Sequence, residues 1–233
     1  LDSQPPVIVV TGLAFEARIA EGPGLAVVCG AGRRERIAEA LETAITAGAR
    51  GIVSFGTAGG LAPDLAPGDW VVAEAIVSDG QRYPVDPVWS ARMLALLPGA
   101  VHAPIAGGGM AVADASEKRA LFQRTGAVAV DMESYVAAQL ALKHGLPFTA
   151  CRVVIDPADR ELPHAALVAM AADGSVNIAA VLKSLARRPG QLSALMRLAA
   201  DARKARAALL RGRRMLDPGF GFPGLGVPDL LQL

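Results

Sequence analysis

Three short stretches of this chain concentrate the residue types that bond-breaking chemistry needs. The first, VSFGTAGGLAPDLAPGDWVV (Val53–Val72), is an apolar run that stops at a glycine and continues through a hydroxyl, two more glycines and two proline turns. Gly56, Gly59 and Gly60 strip side chains from a strand end and Thr57 adds a hydroxyl, so backbone N–H groups there can meet an anion or an oxygen nucleophile. The pattern is neither GxGxxG nor a P-loop, which argues against a dinucleotide or ATP cradle. The second stretch is AVDMESYVAAQLALKHG (Ala129–Gly145). With Asp131 as a cap, Glu133 shares a helical stripe with Val136, Ala137 and Leu140. A carboxylate on an apolar stripe is costly unless it has a hydrogen-bonding partner or a ligand. The third, TACRVVIDPADREL (Thr149–Leu162), closes a buried strand on Asp156. A carboxyl there has a raised pKa and can act as an acid near neutral pH. Each stretch also has a structural reading: a tight turn, a first-turn Glu answering the helix dipole, and an Asx turn.

Those groups need elements to hold them in place. Val7–Thr11, Leu25–Cys29, Gly51–Phe55, Trp70–Ile76, His102–Ala106, Val128–Val130 and Phe148–Ile155 read as strands from their apolar runs. Between them, Ile37, Ala40, Leu41, Ala44 and Ile45 recur at helical spacing ahead of Gly48. Further helices are predicted at Pro87–Leu97, from a Ser116 cap to Thr125, and from Met132 to His144 with a stop at Gly145. The last third is helical, interrupted at Arg188-Pro189-Gly190. This alternation predicts an α/β three-layer sandwich with a central mixed, mostly parallel sheet and a C-terminal helical extension. The Thr57 loop, Glu133 and Asp156 then fall at strand ends or helix starts on one side of that sheet.

The 233 residues, 52 % hydrophobic and 19 % charged, suit a packed core and exclude intrinsic disorder. No stretch approaches the ~20 apolar residues of a spanning helix, and no secretory pattern opens the chain, so a cytoplasmic protein is expected. Cys29 and Cys151 lie in apolar runs and read as free buried thiols. Three scattered histidines make no metal site. The charge is segregated: Lys183–Arg214 holds ten basic residues against Asp201 alone, a segment of +9 in a chain of net +1. Leu192, Leu195, Ala199, Ala202 and Leu209 form one stripe there, opposite Arg197, Lys204 and Arg211. It reads either as a helix packed on protein or as a docking face for an anionic membrane, with Phe220, Phe222 and Leu225 of the tail adding shallow insertion. With no aromatic residues interleaved, nucleic acid is not the expected partner.

GTAGGLAPDLAPGDWVV, VDMES and RVVIDPAD, in this order and spacing, resemble the three signature segments of the nucleoside phosphorylase/nucleosidase superfamily. The resemblance spans Val7 to Leu185, so residues 1–186 are taken as the catalytic domain and 187–233 as a basic helical extension with a Gly/Pro-rich tail. RRPGQLSALMRLAADARKARAALLRGRRMLDPGFGF is similar to the C-terminal extension of one subgroup, the hopanoid-associated phosphorylases. That subgroup is implicated in removing adenine from adenosylhopane in bacterial hopanoid side-chain synthesis.

The resemblance implies cleavage of a purine N-glycosidic bond through an oxocarbenium-like transition state. It makes Asp156 the acid that protonates the purine at N7. Glu133 becomes the acceptor for the ribose hydroxyls and Met132 the residue packed on the sugar. Gly56, Thr57 and Gly59 would line the nucleophile's site, and Met110 and Val112, from IAGGGMAVADAS, the base. Phosphorylases place an arginine just before the Gly-Thr loop, where this chain has Ser54; Arg33, Arg34 or Arg36, after the Gly30-x-Gly32 turn, would have to hold phosphate instead. Hydrolytic members carry a water-orienting glutamate after the first strand, and Glu16 lies one position earlier than that pattern. The nucleophile therefore stays open between phosphate, as a co-substrate, and water; no other cofactor is implied.

The region SDGQRYPVDPVWSAR is short where methylthioadenosine-type nucleosidases close over the 5′ group, which suits a bulky apolar substituent. The expected activity is release of adenine from adenosylhopane, by a homo-oligomer that lies peripherally on the inner membrane face. Two alternatives are a nucleosidase for soluble 5′-substituted adenosines, such as methylthioadenosine or S-adenosylhomocysteine, and a noncatalytic nucleoside-binding or membrane-scaffold protein.

Overall fold

The computed structural model describes residues 4–30, 34–108, 112–167 and 177–223. The chain runs β1 (Val7–Thr11), α1 (Ala14–Ala20), β2 (Leu25–Cys29), α2 (Arg34–Thr46), β3 (Gly51–Gly60), β4 (Trp70–Ser78) and β5 (Gln81–Pro84). It continues α3 (Pro87–Leu96), β6 (Val101–Gly107), α4 (Ala115–Thr125), β7 (Ala129–Asp131), α5 (Ser134–His144) and β8 (Phe148–Asp156). Helices α6 (His164–Leu167), α7 (Ile178–Arg187) and α8 (Leu192–Met215) complete it.

The eight strands form one mixed sheet in the order β2-β1-β3-β7-β6-β4-β5, with β8 bridging β3 and β4. Because β8 pairs with both, strands β3, β8, β4, β6 and β7 curl into a closed ring. Parallel pairing dominates: β1 with β2 and β3, β3 with β8, and β6 with β4 and β7. Alternation along each strand splits the core in two. Ile8, Val10 and Ile52 face a cluster closed by Ile37 and Leu41 of α2 and Val136, Ala137 and Ala141 of α5. Val7, Val9, Val53 and Phe55 face the opposite cluster, closed by Trp89 and Met93 of α3 and Ala205, Ala208 and Leu209 of α8.

Several local expectations shift. The glycine-rich stretch is not a loop: β3 runs on through Gly60, parallel to β8, with a register shift at Ala58/Gly59. Helix α4 is capped by Asp114, whose carboxylate accepts from the N–H groups of Ser116 and Glu117, and not by Ser116. Helix α5 begins at Ser134, which leaves Met132 and Glu133 in the turn after β7. Hairpin strand β5, built on a buried Tyr83 between Arg82 and Pro84, is an addition to the expected elements.

The C-terminal segment departs furthest. The buried face of α8 is Asp201, Ala205, Ala208, Leu209 and Gly212, while Leu192 is exposed, so the stripe is displaced from the expected one. Phe220 and Phe222 do not project towards a bilayer. Phe220 is fully buried edge-on to Phe55, and Phe222 packs edge-on to Trp89, whose Nε1 donates to the Phe220 carbonyl at 2.8 Å. Aromatic rings find more apolar area in this core than a surface tail could offer them. Leu225 lies outside the described residues. Cys29 and Cys151 are free thiols, and burial pushes Cys151 up to about 12.

Candidate functional site

The site forms where β1, β3, β7 and β8 end. Asp131, the last residue of β7, organises one wall of it. Its Oδ1 accepts from the N–H groups of Glu133, at 3.1 Å, and Ser134, at 2.8 Å, from two residues ahead of the N-cap, which is Glu133 and not Asp131 as expected. Its Oδ2 takes the Ser134 hydroxyl and faces Arg152 Nε at 2.8 Å.

Arg152 is the residue that the motif reading passed over. It stands in the middle of β8, directly opposite Gly56, fully buried and pointing to the α5 side of the sheet. Its guanidinium donates to the Ser54 hydroxyl and lies 3.4 Å from Glu133 Oε2. The place beside Ser54 is therefore filled by an arginine from the neighbouring strand. Burial opposes its charge, but Asp131, Glu133 and Glu16 together outweigh that and raise its pKa. A lone cation inside the apolar run ACRVVI was the available signal.

Glu133 is buried, and burial is the main reason its carboxyl is pushed up to about 7; Arg152 pulls it down, and Asp131 and Glu16 push it further up. It can lie here because Gly12 has no side chain: a Cβ on Gly12 would stand 2.6 Å from Glu133 Oε1. Glu16, also buried, reaches the same end from the first turn of α1. Its Oε2 accepts from Gly12 N and Leu13 N, both at 3.0 Å, and its Oε1 from Thr57 N at 2.8 Å and Thr57 Oγ1 at 2.7 Å.

Gly56 has φ +149°, and a Cβ there would lie 2.6 Å from Glu16 Oε2 and 2.8 Å from Arg152 Nη1. Its lack of a side chain is what lets the acid and the guanidinium approach each other.

Asp156 ends β8 opposite Gly59, where a Cβ would lie 3.5 Å from both carboxyl oxygens. Burial raises its pKa and Lys118 lowers it, with a net rise. Lys118, from α4, is fully buried and donates to Asp156 Oδ2. It too was missed, although it shares a helical face with Leu121 and Phe122. Half-buried Met132 precedes Glu133. Half-buried Val112 borders a cavity of about 630 Å³ between the β4–β5 hairpin and α4. The structure thus brings Glu16, Gly56, Thr57 and Glu133 together around Arg152, with Gly59 and Asp156 alongside; Met110, Gly32 and Arg33 lie outside the described residues. Among the described residues, no group of three or more His, Cys, Asp or Glu side chains is placed to hold a metal ion.

A buried acid at one strand end, with a second carboxylate and a guanidinium beside the Gly56-Thr57 segment of β3, is the layout of an enzyme that cleaves N-glycosidic bonds. The chain belongs to the phosphorylase superfamily, whose sequence profile matches residues 1–187. No curated protein sequence matches it. Among solved structures, the fold is similar to the 5′-methylthioadenosine/S-adenosylhomocysteine nucleosidase of Helicobacter pylori, with 20 % identity, a TM-score of 0.63, and 79 % of this chain and 99 % of that one covered. It is also similar to the futalosine hydrolase of the same organism, at 20 % identity, TM-score 0.62, and 78 % and 97 % coverage. The S-adenosylhomocysteine nucleosidase of Streptococcus pyogenes gives 21 % identity, TM-score 0.61, and 67 % and 85 % coverage. Helix α8 lies beyond the residues that the family profile matches.

Proposed function

We propose that this chain hydrolyses the N-glycosidic bond of a 5′-substituted adenosine, and that adenosylhopane is the substrate. The observation that carries hydrolysis is the charge at the nucleophile's end. Glu16, Asp131 and Glu133 surround Arg152, whose guanidinium is already engaged by Asp131 and Glu133. Among the described side chains there, a phosphate dianion would meet more carboxylates than cations. An uncharged water molecule escapes that repulsion and, in this reading, takes the place of the Thr57 hydroxyl as a donor to Glu16 Oε1.

In this reading the C1′–N bond breaks with its electron pair passing to the purine, which takes a proton at N7 from Asp156. Glu133 accepts the 2′- and 3′-hydroxyls, in bonds that strengthen as the sugar becomes cationic. Met132 packs on the sugar, Gly59 gives room beside Asp156, and Val112 borders the base. Water forms the new C1′–O bond and gives up its proton to Glu16. Adenine and the free sugar leave.

The hopane substituent is favoured by the likeness of the C-terminal segment to that of the hopanoid-associated subgroup, and by an exposed apolar face on α7 and the start of α8. A substrate of this kind lives in a membrane, and the inner membrane surface is the proposed partner. A soluble 5′-substituted adenosine, such as methylthioadenosine, is the second reading, favoured by the names of the nucleosidases that share the fold. Chromatography of adenine released from adenosylhopane and from methylthioadenosine, each with and without phosphate, tests both. Release from adenosylhopane at a phosphate-independent rate is expected. No adenine from it, with rapid turnover of methylthioadenosine, would transfer the assignment to the second reading. A strict phosphate requirement would replace hydrolysis by phosphorolysis.

A further inference from the structure

We propose that Lys118 is the positioning residue of the leaving-group acid: its ammonium takes one oxygen of Asp156 and two carbonyls of the next turn, leaving the other oxygen to face the purine. This rests on the reading of Asp156 as the acid. An ammonium has three donors, and all three are spent here, on Asp156 Oδ2, on the Pro157 carbonyl at 3.0 Å and on the Arg160 carbonyl at 3.0 Å. The side chain is 0 % exposed, so its charge has no water to fall back on and the geometry is fixed by these partners.

The turn is gripped from its other side as well. Arg160 pairs with buried Asp201 of α8, and Leu162 N donates to the Ala113 carbonyl at 2.9 Å. Helix α8, outside the residues shared with the superfamily, thus reaches the acid through one ion pair and one carbonyl.

A role confined to holding the turn would be served by the two carbonyls alone. By also meeting Asp156 Oδ2, Lys118 leaves Oδ1 as the oxygen to carry the proton and makes the carboxyl a stronger acid. Lys118 is the charged group that acts on Asp156. The other charges nearby are engaged elsewhere: Glu133, Asp131 and Glu16 with Arg152, and Arg160 with Asp201. Burial raises Asp156 and Lys118 opposes the rise, so the balance between them sets the pH at which the acid loses its proton.

The test compares Lys118→Met and Lys118→Gln, which remove the cation, with Lys118→Arg, which keeps it. The first readout is the titration of the Asp156 carboxyl carbon by NMR, identified by its absence in Asp156→Asn. The second is the pH dependence of kcat for adenine release. Without the cation, the titration and the alkaline limb of kcat are expected to move up together by about 1–3 pH units. The plateau should fall by about tenfold, short of the ~10²–10⁴-fold lost with the acid itself, and Lys118→Arg should restore both. A lower plateau with an unmoved titration and limb would make Lys118 a structural strut and overturn the proposal. Should Lys118→Met fail to fold, Lys118→Gln, one atom shorter than lysine but still a donor, carries the comparison. A wild-type protein that releases no adenine, with a titration that still rises in either neutral variant, would sink the activity and leave the coupling standing.

Discussion

Asp156→Asn keeps the shape of the carboxyl group but removes the proton that a departing purine needs. Turnover is expected to fall by about 10²–10⁴-fold with substrate affinity nearly unchanged, measured as kcat against a directly titrated Kd. Near-normal turnover would reduce Asp156 to a turn residue. Glu133 has the opposite electrostatic requirement, because it must be ionised to accept two hydroxyls. Burial holds its carboxyl up to about 7, so in the free protein it gains its charge only as pH rises through that value. The sign follows directly: kcat/KM gains as Glu133 ionises with pH rising through about 7, and loses as Asp156 gives up the proton it must donate. Glu133→Gln should abolish the acidic limb and cost roughly 10- to 100-fold in kcat/KM, the worth of hydrogen bonds to a charged group. An acidic limb that persists in Glu133→Gln would assign it to another group.

At the scale of elements, the decisive contact is between β3 and β8, where Gly56 stands opposite Arg152. Gly56→Ala would drive a methyl group to within 2.6 Å of Glu16 Oε2 and 2.8 Å of Arg152 Nη1, at a φ of +149° that side chains rarely adopt. A loss of about 1–3 kcal/mol is expected, read as a lowered melting temperature, together with loss of adenine release because the two charged groups are pushed apart. A variant with unchanged stability and activity would contradict this account of the glycine. The same pair of strands marks where the sequence was legible. Strand runs and the ends carrying Glu133 and Asp156 could be read because each is a local pattern of period or residue type. Arg152 and Lys118 could not be assigned from spacing, since their meaning lies in partners on other elements: Asp131 across the sheet for one, Asp156 some forty residues on for the other. The displaced stripe of α8 has the same origin. Its register follows Gly212, where a Cβ would overlap the Trp70 ring, and no pattern within the helix encodes that neighbour.

Across the whole molecule, the basic segment divides into two parts with different surroundings. From Asp201 onward, α8 and the following turn complete the core, with Leu209, Leu216 and Phe220 all fully buried. Truncation after Arg188 would strip that core and is no test of membrane binding. Ahead of it, Ile178 and Leu182 of α7 are 68 % and 60 % exposed, and Leu192 and Met196 of α8 are 53 % and 65 % exposed. Exposed Lys183, Arg187, Arg188 and Arg197 are interspersed with them. Pairs spaced by four put each apolar couple on one helical face, the arrangement of a helix lying in an interface plane. No helix among the described residues is long and apolar enough to cross a membrane. Each cation near an anionic surface contributes about 1 kcal/mol, and that contribution is screened by salt. The full chain is therefore expected to co-sediment with vesicles containing phosphatidylglycerol at low ionic strength and to be released as salt rises. Ile178→Ser with Leu182→Ser should weaken binding at every salt concentration, while Lys183→Gln with Arg187→Gln should flatten the salt dependence. Both pairs leave the core untouched, so melting temperature should hold. Equal binding to neutral and anionic vesicles, or binding indifferent to all four changes, would return this face to contact with protein.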